Sequence, residues 1–142
     1  MIAHPTFDDG FRAYRSYRSR AVAPAVPFPV AAQIVDYIER NYASPISLRD
    51  VAKAFGYSSC HLTHAFARTT GTPITAWIIR RRIEAAKQLL SRGNTVAAAG
   101  EAVGFSDLCY FTRQFSRHVG TTPGRFRASK LENSSPPDGD NR

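Results

Sequence analysis

Residues 102–120 read AVGFSDLCYFTRQFSRHVG, and residues 54–71 read AFGYSSCHLTHAFARTTG. Each stretch has a glycine, an aromatic residue and a serine in succession, and each ends on a glycine after a segment with helical apolar spacing. The match begins at Ser47 and Thr95 with an offset of 48 residues, and after one inserted residue the offset becomes 49. The chain therefore repeats one structural pattern.

Each copy of the repeat has the signals of two helices joined by a tight turn. Ser47 and Thr95 suit the N-cap of a first helix, and Asp50 completes a capping box in the first copy. Gly56 and Gly104 suit the left-handed conformation that ends this helix. A serine then follows and is expected to cap a longer second helix: Ser58 in the first copy and Ser106 in the second. Two helices in this arrangement form a helix-turn-helix unit.

The rest of the central sequence is also helical in pattern, and no segment alternates in the manner of a strand. Ile34 and Ile38 lie on the apolar stripe of a first helix. A run of about twenty residues without a helix breaker begins at Pro73 and predicts a long connector between the two units. Thr122 and Pro123 start a short last helix. We therefore predict an all-α, seven-helix domain with two helix-turn-helix units joined by a long connector helix.

Composition divides the chain into a folded region and two tails. Residues 1–30 are basic, contain three prolines in six residues, and predict an extended arm that is either disordered or contacts nucleic-acid phosphates. Residues 131–142 are predicted to be a disordered tail. The folded domain is expected at 32–130, with the first unit, the connector and the second unit at about 47–70, 73–92 and 95–119.

The chain is strongly basic, with 19 Lys and Arg against 11 Asp and Glu and a formal net charge of +8. Residues 31–130 contain fourteen of the basic and six of the acidic residues. This charge indicates an anionic partner, either nucleic acid or an anionic membrane surface. No segment is apolar for long enough to span a bilayer, and the N-terminal charges do not follow the order of a secretory signal. We expect a cytoplasmic, nucleoid-associated protein.

The reactive side chains do not form a catalytic or metal-binding pattern. The chain has two cysteines and four histidines, and their spacing matches neither a zinc site nor a nucleophile with its base. We therefore expect no enzyme activity, no metal and no cofactor. Cys60 and Cys109 both lie in the predicted second helices of the two units, which leaves redox control of binding open.

The second helix of a helix-turn-helix unit enters the major groove of DNA with its outward residues. In the second unit, Tyr110, Phe111 and Phe115 are the predicted packing residues of this helix. Arg113 is the strongest candidate for base recognition, because a guanidinium can bind guanine through two hydrogen bonds. The predicted base-contacting residues are Ser59, Cys60, Thr63, His64, Leu108, Cys109, Thr112 and Arg113. The predicted phosphate-contacting residues are Ser58, Arg68, Arg80, Arg81, Ser106, Arg117 and Arg125.

The length of the connector suggests how two units would bind together. About twenty helical residues span roughly 30 Å at 1.5 Å per residue, close to the ~34 Å of one turn of B-DNA. Two units on one rigid rod would therefore reach successive major-groove segments.

The sequence resembles the DNA-binding domain of AraC/XylS transcription regulators. The resemblance is carried by GFSDLCYFTRQFSRHVGTTPGRFR at 104–127 and by WIIRRRIEAAKQLL at 77–90, and it covers roughly residues 32–130. The candidate residues above match the family's base-facing and phosphate-facing positions. His64 stands where the family often has arginine, and Gly100 stands where it usually has alanine.

The resemblance implies a sequence-specific transcription regulator with double-stranded DNA and RNA polymerase as partners. The chain is similar to the small stand-alone members of this family, which bind DNA as monomers and act as activators. One alternative is a DNA-binding module left from a larger effector-responsive regulator or from a DNA-repair protein, without activity of its own. Another is a basic helical module that binds a membrane surface or a protein partner.

Overall fold

The computed structural model describes residues 25–134, and this part of the chain forms seven α-helices and no strand. The prediction of an all-α domain with two helix-turn-helix units and a long helix between them is confirmed. The arm before residue 25 and the tail after residue 134 lie outside the described residues. The helices are α1 Phe28–Asn41, α2 Leu48–Phe55, α3 Ser59–Thr70, α4 Ile74–Ser91, α5 Val96–Ala102, α6 Leu108–Val119 and α7 Pro123–Ser134.

The described residues form two compact subdomains, and each has its own core. The first comprises residues 25–42 and 46–78, and the second comprises residues 43–45 and 79–134. The fully buried side chains of the first core include Ile34, Ile38, Val51, Leu62 and Phe66. The second core contains a row of rings in edge or tilted contact, from Phe105 through Phe111 and Phe115 to Phe126.

The turns of the two helix-turn-helix units have the same backbone geometry. The glycine that ends the first helix has a φ of 75° in the first unit and 101° in the second. The N–H of the next residue donates to the carbonyl oxygen five residues earlier, over 2.9 Å from Tyr57 to Ala52 and 3.0 Å from Phe105 to Gly100. This bond closes the turn after a left-handed residue, and it places an aromatic ring at the same point in both units.

The second helices of the two units, α3 and α6, are the helices predicted to enter the major groove, and we call them the recognition helices. They begin with different caps. Ser58 caps α3 as predicted, and its hydroxyl oxygen accepts a backbone N–H at 3.1 Å. The prediction that Ser106 caps α6 is wrong. Asp107 is the cap, and its carboxylate accepts the N–H groups of Cys109 (2.8 Å) and Tyr110 (3.1 Å). The reason is the one inserted residue in the second unit, which moves the start of the helix one position beyond the serine.

We expect Asp107→Ala to lower the free energy of unfolding by about 0.5–2 kcal/mol, because two backbone N–H groups lose their acceptor. Asp107→Asn keeps a side-chain oxygen and serves as the matched control. Urea unfolding of the three proteins measures the difference. An alanine variant as stable as the asparagine variant would contradict this role.

Helix α1 begins at Phe28, inside the segment that was predicted to be extended up to residue 30. Pro27 is the N-cap residue and Pro29 lies in the first turn, where the missing N–H of proline breaks no helical hydrogen bond. Val26 is 1% exposed, and its carbonyl oxygen accepts the Thr69 hydroxyl at 2.6 Å. The end of the Pro-rich segment is therefore part of the first core.

Helix α7 also extends beyond its predicted end. It continues to Ser134, so residues 131–134 are helical and not part of a disordered tail. Leu131 is half-buried, and a methyl group added at residue 93 would lie 3.7 Å from its side chain. The Leu131 side chain therefore lies beside the loop at Gly93.

Candidate nucleic-acid interface

Helix α3 presents a small set of polar and weakly polar side chains to solvent. Cys60 and His64 are exposed and lie four residues apart, on one face of the helix. Ser59 and Thr63 are half-buried, and the Thr63 hydroxyl donates to the Ser59 carbonyl oxygen at 2.7 Å. Because this hydroxyl hydrogen is engaged within the helix, the methyl group and an oxygen lone pair of Thr63 remain for a DNA contact.

Helix α6 presents the corresponding set in the second unit. Cys109 and Arg113 are exposed and four residues apart, and Thr112 is half-buried. Leu108 is 51% exposed at the first position of the helix. Tyr110 was predicted to pack, and its ring does contact the buried Phe105, but 39% of the side chain remains exposed.

An aromatic pair links the turn to the recognition helix in both units. The Tyr57 ring stacks on the His61 ring with centroids 5.4 Å apart and planes at 9°. The Phe105 and Tyr110 rings lie 5.9 Å apart and are tilted by 56°. The sequence analysis did not predict these two ring pairs, although the offset of 49 aligns His61 with Tyr110 and an aromatic residue follows each turn glycine.

His118, near the end of α6, is influenced by charged side chains of the second subdomain. Burial, followed by the charges of Arg80 on α4 and Arg117 on α6, lowers the pKa of His118, while Glu84 opposes this shift. The charges of two predicted phosphate-contacting arginines, from two different helices, therefore act on His118. His118 had no signal in the sequence, because Arg80 and Glu84 lie more than thirty residues away from it along the chain.

The remaining phosphate candidates are dispersed. Arg68 and Arg81 are half-buried, whereas Ser106 and Arg125 are exposed. Arg125 lies in the first turn of α7, where its N–H donates to the Thr122 hydroxyl oxygen at 3.2 Å. The Ser58 hydroxyl oxygen already accepts the cap hydrogen bond, so a phosphate would bind its hydroxyl hydrogen.

Two other arginines stabilise the second subdomain. Arg82 donates to the Ser44 carbonyl oxygen at 2.9 Å and lies 5.8 Å from the centroid of the Phe105 ring, and its burial lowers its pKa. Arg127 donates to the carbonyl oxygens of Gly93 and Asn94, each at 2.9 Å. The guanidinium groups of Arg82 and Arg127 therefore bind the carbonyl oxygens of loop residues within the protein.

Within residues 25–134, no group of three or more histidine, cysteine and acidic side chains is arranged to hold a metal ion. No helix in the same range has both the length and the apolar character needed to cross a membrane.

Comparison with protein families places residues 51–129 in a helix-turn-helix domain family. MarA of Escherichia coli, a multiple antibiotic resistance protein, is 31% identical over 103 residues, which cover 72% of this chain and 81% of MarA. The transcriptional activator AarP of Providencia stuartii is 33% identical over 101 residues, which cover 70% of this chain and 75% of AarP.

A solved structure shows the same fold. The probable AraC family regulator from Rhodopseudomonas palustris superposes with a TM-score of 0.63 at 32% identity, covering 75% of this chain and 97% of that one. The uncharacterized regulator YfiF of Bacillus subtilis is 37% identical over 93 residues, and the match spans only 29% of its length. The matched region therefore makes up most of the length of MarA and AarP but less than a third of the length of YfiF.

Proposed function

This chain belongs to the AraC/XylS family of DNA-binding transcription regulators, and from that premise we propose that it is a sequence-specific activator. In this proposal α3 and α6 enter successive major-groove segments of one DNA site. The observation that carries it is the repeated unit, in which both recognition helices direct exposed side chains away from a buried face, formed mainly by Leu62 and Phe66 in α3 and by Phe111 and Phe115 in α6.

The proposed base contacts follow from the chemistry of the exposed side chains. Arg113 binds guanine with two hydrogen bonds, and His64 donates one hydrogen bond to a guanine acceptor. Leu108 contacts a thymine methyl group, the apolar group of the major groove. The remaining proposed base contacts come from the same two helices and involve Ser59, Cys60, Thr63, Cys109 and Thr112.

The proposed phosphate contacts hold these helices in place. The residues proposed for these contacts are Ser58, Arg68, Arg80, Arg81, Ser106, Arg117 and Arg125. The connector α4 has 18 residues and is therefore about 27 Å long. This length supports binding of both units to one face of the duplex by a single chain, which would act as a monomer.

Activation is the finer part of the proposal. AarP of Providencia stuartii is a transcriptional activator, and we infer by analogy that this chain recruits RNA polymerase. The short match to YfiF favours a second candidate, in which the same fold is the DNA-binding module of a larger effector-responsive regulator.

Duplex binding tests the proposal. The chain should bind double-stranded DNA with steep salt dependence and should enrich one sequence from a random duplex library. Genome-wide mapping of its binding sites would then identify the genes concerned. Equal affinity for every duplex would refute sequence-specific regulation.

The two cysteines provide a direct probe of the proposed interface. Cys60 and Cys109 are both exposed, one on each recognition helix. With the enriched duplex at about ten times Kd, we expect iodoacetamide to alkylate both thiols about tenfold more slowly, because the bound fraction is shielded. Mass spectrometry measures each site separately. The unfolded chain, in which DNA should protect neither thiol, is the control, and unchanged rates in the folded chain would contradict the interface.

A further inference from the structure

Each recognition helix carries an exposed ring with a polar hydrogen at the same position. These rings are His61 on α3 and Tyr110 on α6, aligned at the repeat offset of 49. Neither belongs to the base-facing or phosphate-facing residues named above.

The turn holds both rings in place. Tyr57 and Phe105 are positioned by the hydrogen bond that closes each turn, and they contact His61 and Tyr110 at 5.4 Å and 5.9 Å between centroids. A ring held in this way loses little conformational entropy when it binds. The two units therefore present one polar hydrogen each from a pre-positioned ring.

An arginine shares the edge of the helix with each ring. Arg68 follows His61 by seven residues, and Arg117 follows Tyr110 by seven residues. Seven residues are about two turns, so the ring and the arginine lie on one edge of their helix. The base-facing pairs Cys60 with His64 and Cys109 with Arg113 lie on an adjacent line.

We propose that His61 and Tyr110 each donate a hydrogen bond to a DNA phosphate and form, with Arg68 and Arg117, a phosphate-binding edge on each recognition helix. The base-facing residues differ between the units, with His64 in one and Arg113 in the other. The edge has the same chemistry in both, as contact with a backbone of uniform structure requires. This inference rests on the proposed function, because it needs α3 and α6 to lie in the groove.

The test removes each polar hydrogen and keeps each ring. Tyr110→Phe and His61→Phe retain the aromatic contact with the turn. Binding is measured with a random duplex of about 30 base pairs, which spans about three turns, and with the enriched duplex. Each variant should raise Kd roughly 2- to 10-fold, and by the same factor for both duplexes. Tyr37→Phe is the matched control, because Tyr37 lies in α1, outside the proposed interface, and its ring packs on Phe55 of α2.

Salt dependence provides a second readout. Tyr110→Phe should leave the slope of log K against log salt unchanged, since a neutral donor releases no counterion, whereas Arg117→Gln should reduce its magnitude by about 0.9. Wild-type affinity in either ring variant would overturn the assignment for that unit, and a loss confined to the enriched duplex would identify a base contact instead. If the ring variants keep wild-type affinity while the wild-type chain prefers the enriched duplex in the same titration, this inference fails and the proposed function stands. Absence of any duplex binding would remove the proposed function as well.

Discussion

Replacing Arg113 by alanine is expected to weaken binding to the enriched duplex by about 1–3 kcal/mol, which is roughly 5- to 150-fold. Arg113 is exposed on α6, four residues after Cys109 and on the same face. Its guanidinium has the planar, forked geometry that matches the two acceptors of guanine. Binding to random duplex should decrease much less, because only one positive charge is lost from a basic surface.

Arg113→Lys is the matched control for this prediction. Lysine keeps the charge and loses the forked pair of donors, so it should restore affinity for random duplex while leaving recognition of the enriched duplex weakened. Fluorescence anisotropy titrations with both duplexes measure the two effects. Equal losses on both duplexes for Arg113→Ala would assign this side chain to a phosphate instead of a base.

Gly100→Ala is expected to destabilise the second subdomain although alanine is the better helix former. A methyl group on residue 100 would lie 2.8 Å from Cδ2 and 3.1 Å from Cγ of Phe111. The Phe111 side chain is fully buried and contacts Phe105 and Phe115, at 5.0 Å and 5.8 Å between ring centroids. The Phe111 ring would therefore have to shift against these neighbours, and overpacking of about 1–3 kcal/mol exceeds the gain of up to about 1 kcal/mol in helix propensity.

The first unit shows how to compensate this overpacking. Its residues at the positions of Gly100 and Phe111 are Ala52 and Leu62, which are also buried. We expect Phe111→Leu to restore stability to Gly100→Ala, with a favourable coupling of about 0.5–3 kcal/mol in a double-mutant cycle. Chemical unfolding of the four proteins measures the coupling. A Gly100→Ala variant as stable as the wild type, or strictly additive effects, would refute the close contact.

The same contact changes the interpretation of Gly100. From sequence it is a departure from the alanine usual in the family, with a cost in helix propensity. In the structure it is the small partner of a large ring, and the pair Gly100 and Phe111 replaces the pair Ala52 and Leu62. The exchange of volume is invisible to local pattern analysis, because the two residues lie on different helices.

Most helix boundaries were predicted correctly from local signals, because the end of a helix depends on residues within about one turn of it. Ser47 and Asp50 form the predicted capping box, and Gly71 and Gly120 end α3 and α6 with positive φ. The errors also have local causes. One inserted residue made Asp107 the cap in place of Ser106, and a proline in the first helical turn was taken as a barrier to helix.

Caps, turn glycines and apolar spacing act within one helix or its adjoining turn, so the amino-acid pattern was enough to predict the all-helical fold, the repeated helix-turn-helix unit and the outward positions of both recognition helices. The close approach of Phe111 to Gly100, the charges of Arg80 and Arg117 that act on His118, and the rings that position His61 and Tyr110 became evident only in the folded chain. Each of these depends on side chains from separate elements, whose distances are set by packing and not by spacing along the chain.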